Sequence, residues 1–341
     1  VSKDTRPWHR VRASLAWIKA RRPRALHSYA LRPSPTSVLP RHFPWASAYL
    51  LLTLTALFWS ANFVVGRGVQ GTVPPIALAF WRWTVALCVL LPFALQPMLR
   101  ERETILRHWK MLVLLGVMGV GSFNTLVYIG LGSTTATNGI LLNSAIPAII
   151  VLLGWLFMGQ RVSRLQTLGI VVSMAGVAAI IFRGDLSGAL QLQVNGGDIW
   201  VFAAVVSWAV YTLLLRRRPA GIGSLAFLGT TMAVGWAANL PFFLAELATG
   251  ARTELNLASV AAIAYTGVFP SVLAYLFWNR AVAEVGPARA GMFVHLMPVF
   301  GALLAVVFLG ETLHLYHAAG FALILAGIVL ATRTPTPDPL D

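Results

Sequence analysis

Apolar residues fall in long runs along this chain, separated by short polar or glycine-rich stretches, with no strand-like alternation. A membrane-crossing helix needs about 20 mostly apolar residues, since each adds about 1.5 Å across a hydrocarbon core about 30 Å thick. Ten runs approach or reach that length: 47–66, 76–97, 111–131, 138–158, 165–182, 198–215, 224–246, 259–280, 287–309 and 314–332. They are too long and too uniformly apolar for barrel strands, which alternate and span about ten residues. In lipid a helix satisfies its own backbone hydrogen bonds. The pattern therefore predicts an all-α, polytopic membrane bundle of ten transmembrane helices.

Charge sharpens this picture. Only 11% of residues are charged and 57% are hydrophobic, against about 25% charged in soluble domains. A net charge of +15 would point to nucleic acid in a soluble protein; here its placement points to topology, and no nucleic-acid partner is expected. Ten of the 26 Lys and Arg residues lie within positions 1–45 beside a single acid, Asp4. That stretch is expected to be a largely disordered basic extension with a short helix near Ala13–Ala20. It is Arg-rich and acid-poor like an organelle transit peptide. The first Met is Met98, so the biological start is expected nearer residue 38. With the N-terminus inside, alternation through ten spans puts 22 Lys and Arg on the inner side and Arg67, Arg183 and Arg252 on the outer side. Only Arg82 falls within a span. By the positive-inside rule both termini, including the short tail 333–341, are expected in the cytoplasm.

The chain also resembles itself. Pro147, Gly159, Gln160, Gly169 and Gly176 recur as Pro298, Gly310, Glu311, Gly320 and Gly327, all offset by 151. Upstream, Trp59 pairs with Trp208 and Pro92–Phe93 with Pro241–Phe242, offset by 149. Residues 47–182 and 198–332 are thus two five-helix repeats, joined by the polar and glycine-rich segment 183–197. Five is odd, so the second repeat enters the membrane from the opposite side. Inverted repeats of this kind hold a midplane site between two halves that rock against each other.

Trp59-Ser-Ala-Asn-Phe-Val64, Phe80-Trp-Arg82 and the Pro…Gly-Gln/Glu…Gly…Gly pattern closing each half resemble the EamA-like branch of the drug/metabolite transporter superfamily. The resemblance covers about residues 47 to 332. It implies a carrier of five plus five helices in the plasma or bacterial inner membrane, often an exporter of amino acids or other small metabolites. Gly159-Gln160 departs from its counterpart Gly310-Glu311, so a role needing a carboxylate at both symmetric places is not implied.

Candidate solute contacts are polar or aromatic residues spaced to share a helix face. Trp59 and Asn62, Asn124 and Tyr128, Ser207 and Tyr211, and Ser271, Tyr275 and Trp278 meet this test, and Asn143 precedes Pro147 by four. Each can equally serve as an interhelical bond or an interfacial anchor. Arg82 either grips a solute carboxylate with a two-pronged hydrogen bond or snorkels to the surface; its repeat counterpart is Thr231. His295 can bind protons or solute near neutral pH, or be a satisfied structural residue. Pro147 and Pro298 are candidate helix breaks with a gating role. None of the eleven acids falls at the centre of a run, so a midplane carboxylate relay is not expected.

The leading expectation is a secondary carrier exporting amino-acid-like or carboxylate-bearing solutes by alternating access. A channel-type facilitator and an intramembrane enzyme are the alternatives. No Gly-x-x-x-x-Gly-Lys-Ser/Thr, His-Glu-x-x-His or Gly-x-Ser-x-Gly motif occurs, which argues against nucleotide drive and hydrolysis. Cys88 is the single cysteine, and no cofactor or metal is expected. Small solute and lipid are the expected partners, with a homodimer through the glycines of spans five and ten as a further option.

Overall fold

The computed structural model describes residues 47–333 apart from 70, 132, 135, 161, 186–194, 310 and 311. The basic extension, the tail beyond 333, and Gly310-Glu311 lie outside the described residues. Among the described residues the chain is helical. In chain order α1 is Ala48–Gly68 and α2 is Pro75–Arg100, followed by a short helix, Arg102–Arg107. The helix α3 runs through Trp109–Gly116, a π turn at Val117–Ser122 and Phe123–Leu131. Two segments, Ala136–Ser144 and Ile146–Met158, make up α4; Arg164–Ile181 is α5.

The second half repeats the plan. Its helices are α6, Gly196–Leu214; α7, Ser224–Ala248; and α8, comprising Leu257–Gly267, a π turn at Val268–Leu273 and Ala274–Val285. Then come α9, comprising Pro287–Met292, a 3-10 turn at Phe293–His295 and Leu296–Leu309, and finally α10, Leu315–Thr332. Nine helices among the described residues are long and apolar enough to cross a membrane. The predicted span 138–158 differs: it is interrupted at Ala145, so neither part reaches that length alone. The physical reason is Pro147, which has no N–H to offer the carbonyl of Asn143.

Inverted topology is visible in how equivalent helices meet. At the end of α7, Glu246 accepts hydrogen bonds from the Ile76 and Ala77 amides of α2, at 3.0 and 2.6 Å. At the end of α2, Glu101 accepts from the Gly223 amide that opens α7, at 2.8 Å. Each carboxylate thus satisfies the free amides, and complements the positive dipole end, of the other helix. That is geometrically feasible only if the two helices run antiparallel. Arg218 lies beside Glu101 and over the Phe227 ring, 5.0 Å from its centre. Burial draws its guanidinium below its ordinary value, and Glu101 acts in the opposite sense.

α5 and α10 also cross antiparallel, through their glycines. A Cβ placed on Gly169 would lie 2.5 Å from the Gly327 carbonyl, and one on Gly176 would lie 2.7 Å from that of Gly320. Without side chains the two backbones come into contact, the usual route to helix association in lipid. These glycines are consumed within the chain, which removes them as the homodimer surface the sequence offered.

Candidate functional site

The first-half π turn, 117–122, and its second-half counterpart, 268–273, are related by the same offset of 151. A π turn releases carbonyls from the regular ladder and often marks a functional site. The Gly119 carbonyl accepts from Tyr275 Oη at 2.6 Å, and its repeat counterpart, the Pro270 carbonyl, accepts from Trp59 Nε1 at 3.1 Å. Ser207 donates to the Met118 carbonyl at 2.9 Å. Each half therefore uses a loosened turn to anchor an aromatic side chain near the pseudo-twofold axis.

Those anchors build an aromatic cluster. The Trp59 and Trp208 rings, repeat counterparts, meet edge to face with centroids 5.1 Å apart. Trp278 lies 5.2 Å from Trp59, and Tyr211 lies 5.2 Å from Trp208. Beside the cluster is a cavity of about 50 Å³, lined by Trp59, Asn62, Arg82, Phe123, Asn124, Asn143, Ile146, Trp208, Tyr275, Val294 and Met297. At roughly 10–15 Å³ per water centre, it has room for only a few waters.

Arg82 decides the chemistry of this cavity. Its side chain is 2% exposed and turns inward, so the snorkelling alternative does not apply. Nε donates to Ser271 Oγ at 3.0 Å, and one terminal nitrogen lies 3.4 Å from both Asn62 Oδ1 and Asn124 Oδ1. The guanidinium also sits over the Trp83 ring, 5.1 Å from its centre. All these partners are neutral. Among the described residues no carboxylate lies within 4 Å of Arg82. Asn143 adds an acceptor, since its Oδ1 is buried and has no hydrogen-bond partner.

The structure brings six of the ten sequence-derived candidates to one cavity: Trp59, Asn62, Arg82, Asn124, Asn143 and Tyr275. Three others lie behind the lining. Tyr211 is fully buried and donates to Asn279 at 2.8 Å; Trp278 packs within the aromatic cluster; His295 is held by Ser173 and Ser144. The Tyr128 side chain lies outside the described residues. Pro147 and Pro298 flank interrupted stretches of α4 and α9. Sequence reasoning missed Trp208, Phe123, Ile146, Val294 and Met297. The repeat offset was the available signal, because it pairs Trp208 with Trp59 and Met297 with Ile146.

Comparison with known proteins accounts for this architecture. The model of the EamA-like transporter family matches residues 46–182 and again 195–333. An uncharacterised transporter of Bacillus subtilis, YyaM, is 26% identical over 83% of this chain and 93% of its own length. A Streptantibioticus cattleyicolor protein named "probable terminal-alkyne amino-acid exporter" is 30% identical over 84% of this chain and 94% of its own. A solved crystal structure superposes with a TM-score of 0.70 at 22% identity, covering 84% of this chain and 96% of that one; at that identity the likeness shows the fold. With the family's model matched once in each five-helix half, the chain belongs to the EamA-like transporter family.

Proposed function

We propose that this transporter is a secondary carrier that exports small carboxylate-bearing solutes of amino-acid type by alternating access. In this reading it sits in the plasma or bacterial inner membrane with both termini in the cytoplasm. The observation that carries the solute class is Arg82, a buried guanidinium on a cavity wall with only neutral partners. A charge at such depth is costly, by about 2.5–3.5 kcal/mol even on insertion scales. A carboxylate arriving in the cavity offsets that cost with a charge-assisted, two-pronged bond. Asn143 Oδ1 is an acceptor for the solute's ammonium, and the Trp59, Trp208 and Tyr275 faces favour a cation nearby. The exporter named among the relatives supports the direction and the class.

At about 50 Å³ the cavity is too small for an amino acid, which favours a closed state of a carrier that must expand to load. The test is metabolite profiling, inside and outside, of cells expressing the wild type, Arg82→Ala, Arg82→Lys or empty vector at matched membrane levels. Accumulation of one carboxylate class outside, with wild type only, is the expected result. Export that survives both substitutions overturns the role of Arg82, and an unchanged solute profile overturns export. Saturable counterflow distinguishes a carrier from a channel, which would instead give single-channel currents.

A further inference from the structure

His295 has no exposed surface and sits in the 3-10 turn of α9. Its Nδ1 lies 2.6 Å from Ser173 Oγ on α5, and its Nε2 lies 2.8 Å from the carbonyl oxygen of Ser144, where α4 is interrupted. Ser144 and His295 are repeat counterparts under the offset of 151. The contact therefore joins the two interrupted helices at equivalent places. Their chain neighbours Asn143 and Val294 line the central cavity.

The chemistry of these contacts is unusual in accommodating two protonation states without moving a heavy atom. A carbonyl only accepts, so Nε2 carries a hydrogen in both states. The Ser173 hydroxyl has a second acceptor in reach, the Ile170 carbonyl at 3.1 Å. With a neutral ring, Ser173 donates to Nδ1. With a doubly protonated ring, Nδ1–H donates to Ser173 Oγ, and the hydroxyl hydrogen turns to Ile170. One proton is gained at Nδ1 or lost from it, and every donor and acceptor is matched before and after.

Few other titratable groups lie on the elements packed around this pair, and on α10, whose Gly327 meets Ser173, they are Tyr316 and His317, ten or more positions before that contact. α4 carries no titratable side chain, and α5 carries only Arg164 at its first position. α1 carries Tyr49, which stacks on Phe293, and Arg67 near its far end. On α9 the other charged residue is Arg289, six positions before His295. None of these helices bears a carboxylate.

We infer that His295 is a proton-binding site that links protonation to opening of the interrupted helices α4 and α9. A doubly protonated ring in the closed structure faces only neutral dipoles. It is better accommodated in a conformer that brings water to this wall of the cavity. Linkage then makes acid enrich the opened conformer, and makes closure release the proton. A carrier with this device draws on a proton gradient without a membrane carboxylate.

The experiment is hydrogen–deuterium exchange of the backbone around residues 142–149, in the full chain in lipid nanodiscs, between about pH 5 and 8. Rates are corrected for the intrinsic pH dependence of exchange. Wild type is expected to exchange several-fold faster at the acidic end, through a single-proton transition, and His295→Gln to show no transition. Ser173→Ala removes the better acceptor for the doubly protonated ring. Its midpoint should therefore move to more acidic pH by about half to one unit. A wild-type profile in His295→Gln, or an unmoved midpoint in Ser173→Ala, overturns the assignment. If His295→Gln fails to fold, the Ser173→Ala midpoint decides. No solute is present in the assay, so its outcome is independent of the role given to Arg82.

Discussion

Gly169→Ala tests the backbone contact that fixes α5 against α10. The added Cβ would lie 2.5 Å from the Gly327 carbonyl oxygen, 2.7 Å from the Ala331 amide nitrogen and 2.9 Å from the Ala331 Cβ. Ordinary contact begins near 3.4 Å, so the helices must part by about 0.9 Å at this crossing, the difference between 3.4 and 2.5 Å. Two of the three obstacles are backbone atoms and cannot swing aside. Overpacking of this kind costs about 1–3 kcal/mol, and separation also weakens Cα–H···O contacts worth about 0.5–1 kcal/mol each. Alanine returns up to about 1 kcal/mol of helix propensity, which leaves a net loss of roughly 1–3 kcal/mol. Gly66→Ala on α1 is the control, because its Cβ would meet nothing closer than 3.9 Å. Reversible unfolding in mixed micelles reads the difference. Gly327→Ala meets the same crossing from the other side, at 2.5 Å from the Gly169 carbonyl. Once the helices have parted for one methyl the second adds little, so the double variant should lose less than the sum of the singles. A Gly169→Ala protein as stable as Gly66→Ala, or strict additivity in the double, would refute the contact argument.

Two further outcomes follow from the same geometry. Glu246→Gln keeps an acceptor near the Ile76 and Ala77 amides but loses the charge, and should destabilise by about 0.5–2 kcal/mol in the same unfolding assay; a neutral result would mean the α7–α2 cap is slack. Asn143→Leu removes a buried acceptor that has no partner in the closed structure, so stability should hold or rise by about 1 kcal/mol. Export should fall about 5- to 150-fold if that acceptor meets the solute, since an unmatched solute donor costs about 1–3 kcal/mol, and normal export with raised stability would exclude it from the site.

The spans could be read from sequence because lipid leaves the backbone few options: a run of apolar residues of sufficient length must be helical. The repeat could be read because Pro147, Gly169 and Gly176 answer physical needs, a break and a close crossing, that recur in the second half. The π turns at 117–122 and 268–273 left no local signature, since a single wide turn changes neither hydropathy nor propensity. The polar wall of the cavity stood out because Asn62, Arg82, Asn124 and Asn143 are conspicuous among apolar neighbours. Phe123, Ile146 and Val294 did not, since apolar residues face lipid, core and cavity alike. Spacing predicts that Tyr211 and Trp278 turn inward, while His295 stands out only as a lone titratable ring among apolar neighbours. Which inward residues reach the cavity was settled by packing, and these three are held behind it by Asn279, the aromatic cluster and Ser173.

The repeat offsets also show how one scaffold came to hold an asymmetric cavity. Asn62 is paired with Tyr211, Arg82 with Thr231, Asn124 with Tyr275, and Asn143 with Val294. In each pair the first half supplies the amide or guanidinium, and the second supplies an aromatic, hydroxyl or apolar group. A strictly symmetric cavity would place two guanidiniums around about 50 Å³, and their repulsion would be poorly screened at that depth. Thr231 avoids this by turning its hydroxyl to the Phe227 and Leu228 carbonyls of its own helix, at 2.9 and 3.1 Å. The backbone keeps the symmetry that alternating access requires, and the side chains give it up where the solute would sit. An anionic group can then be held in one orientation only, toward the first repeat. The reciprocal exchange Arg82→Thr with Thr231→Arg is accordingly expected to relocate the anion site, with export surviving only for solutes that tolerate the reversed pose.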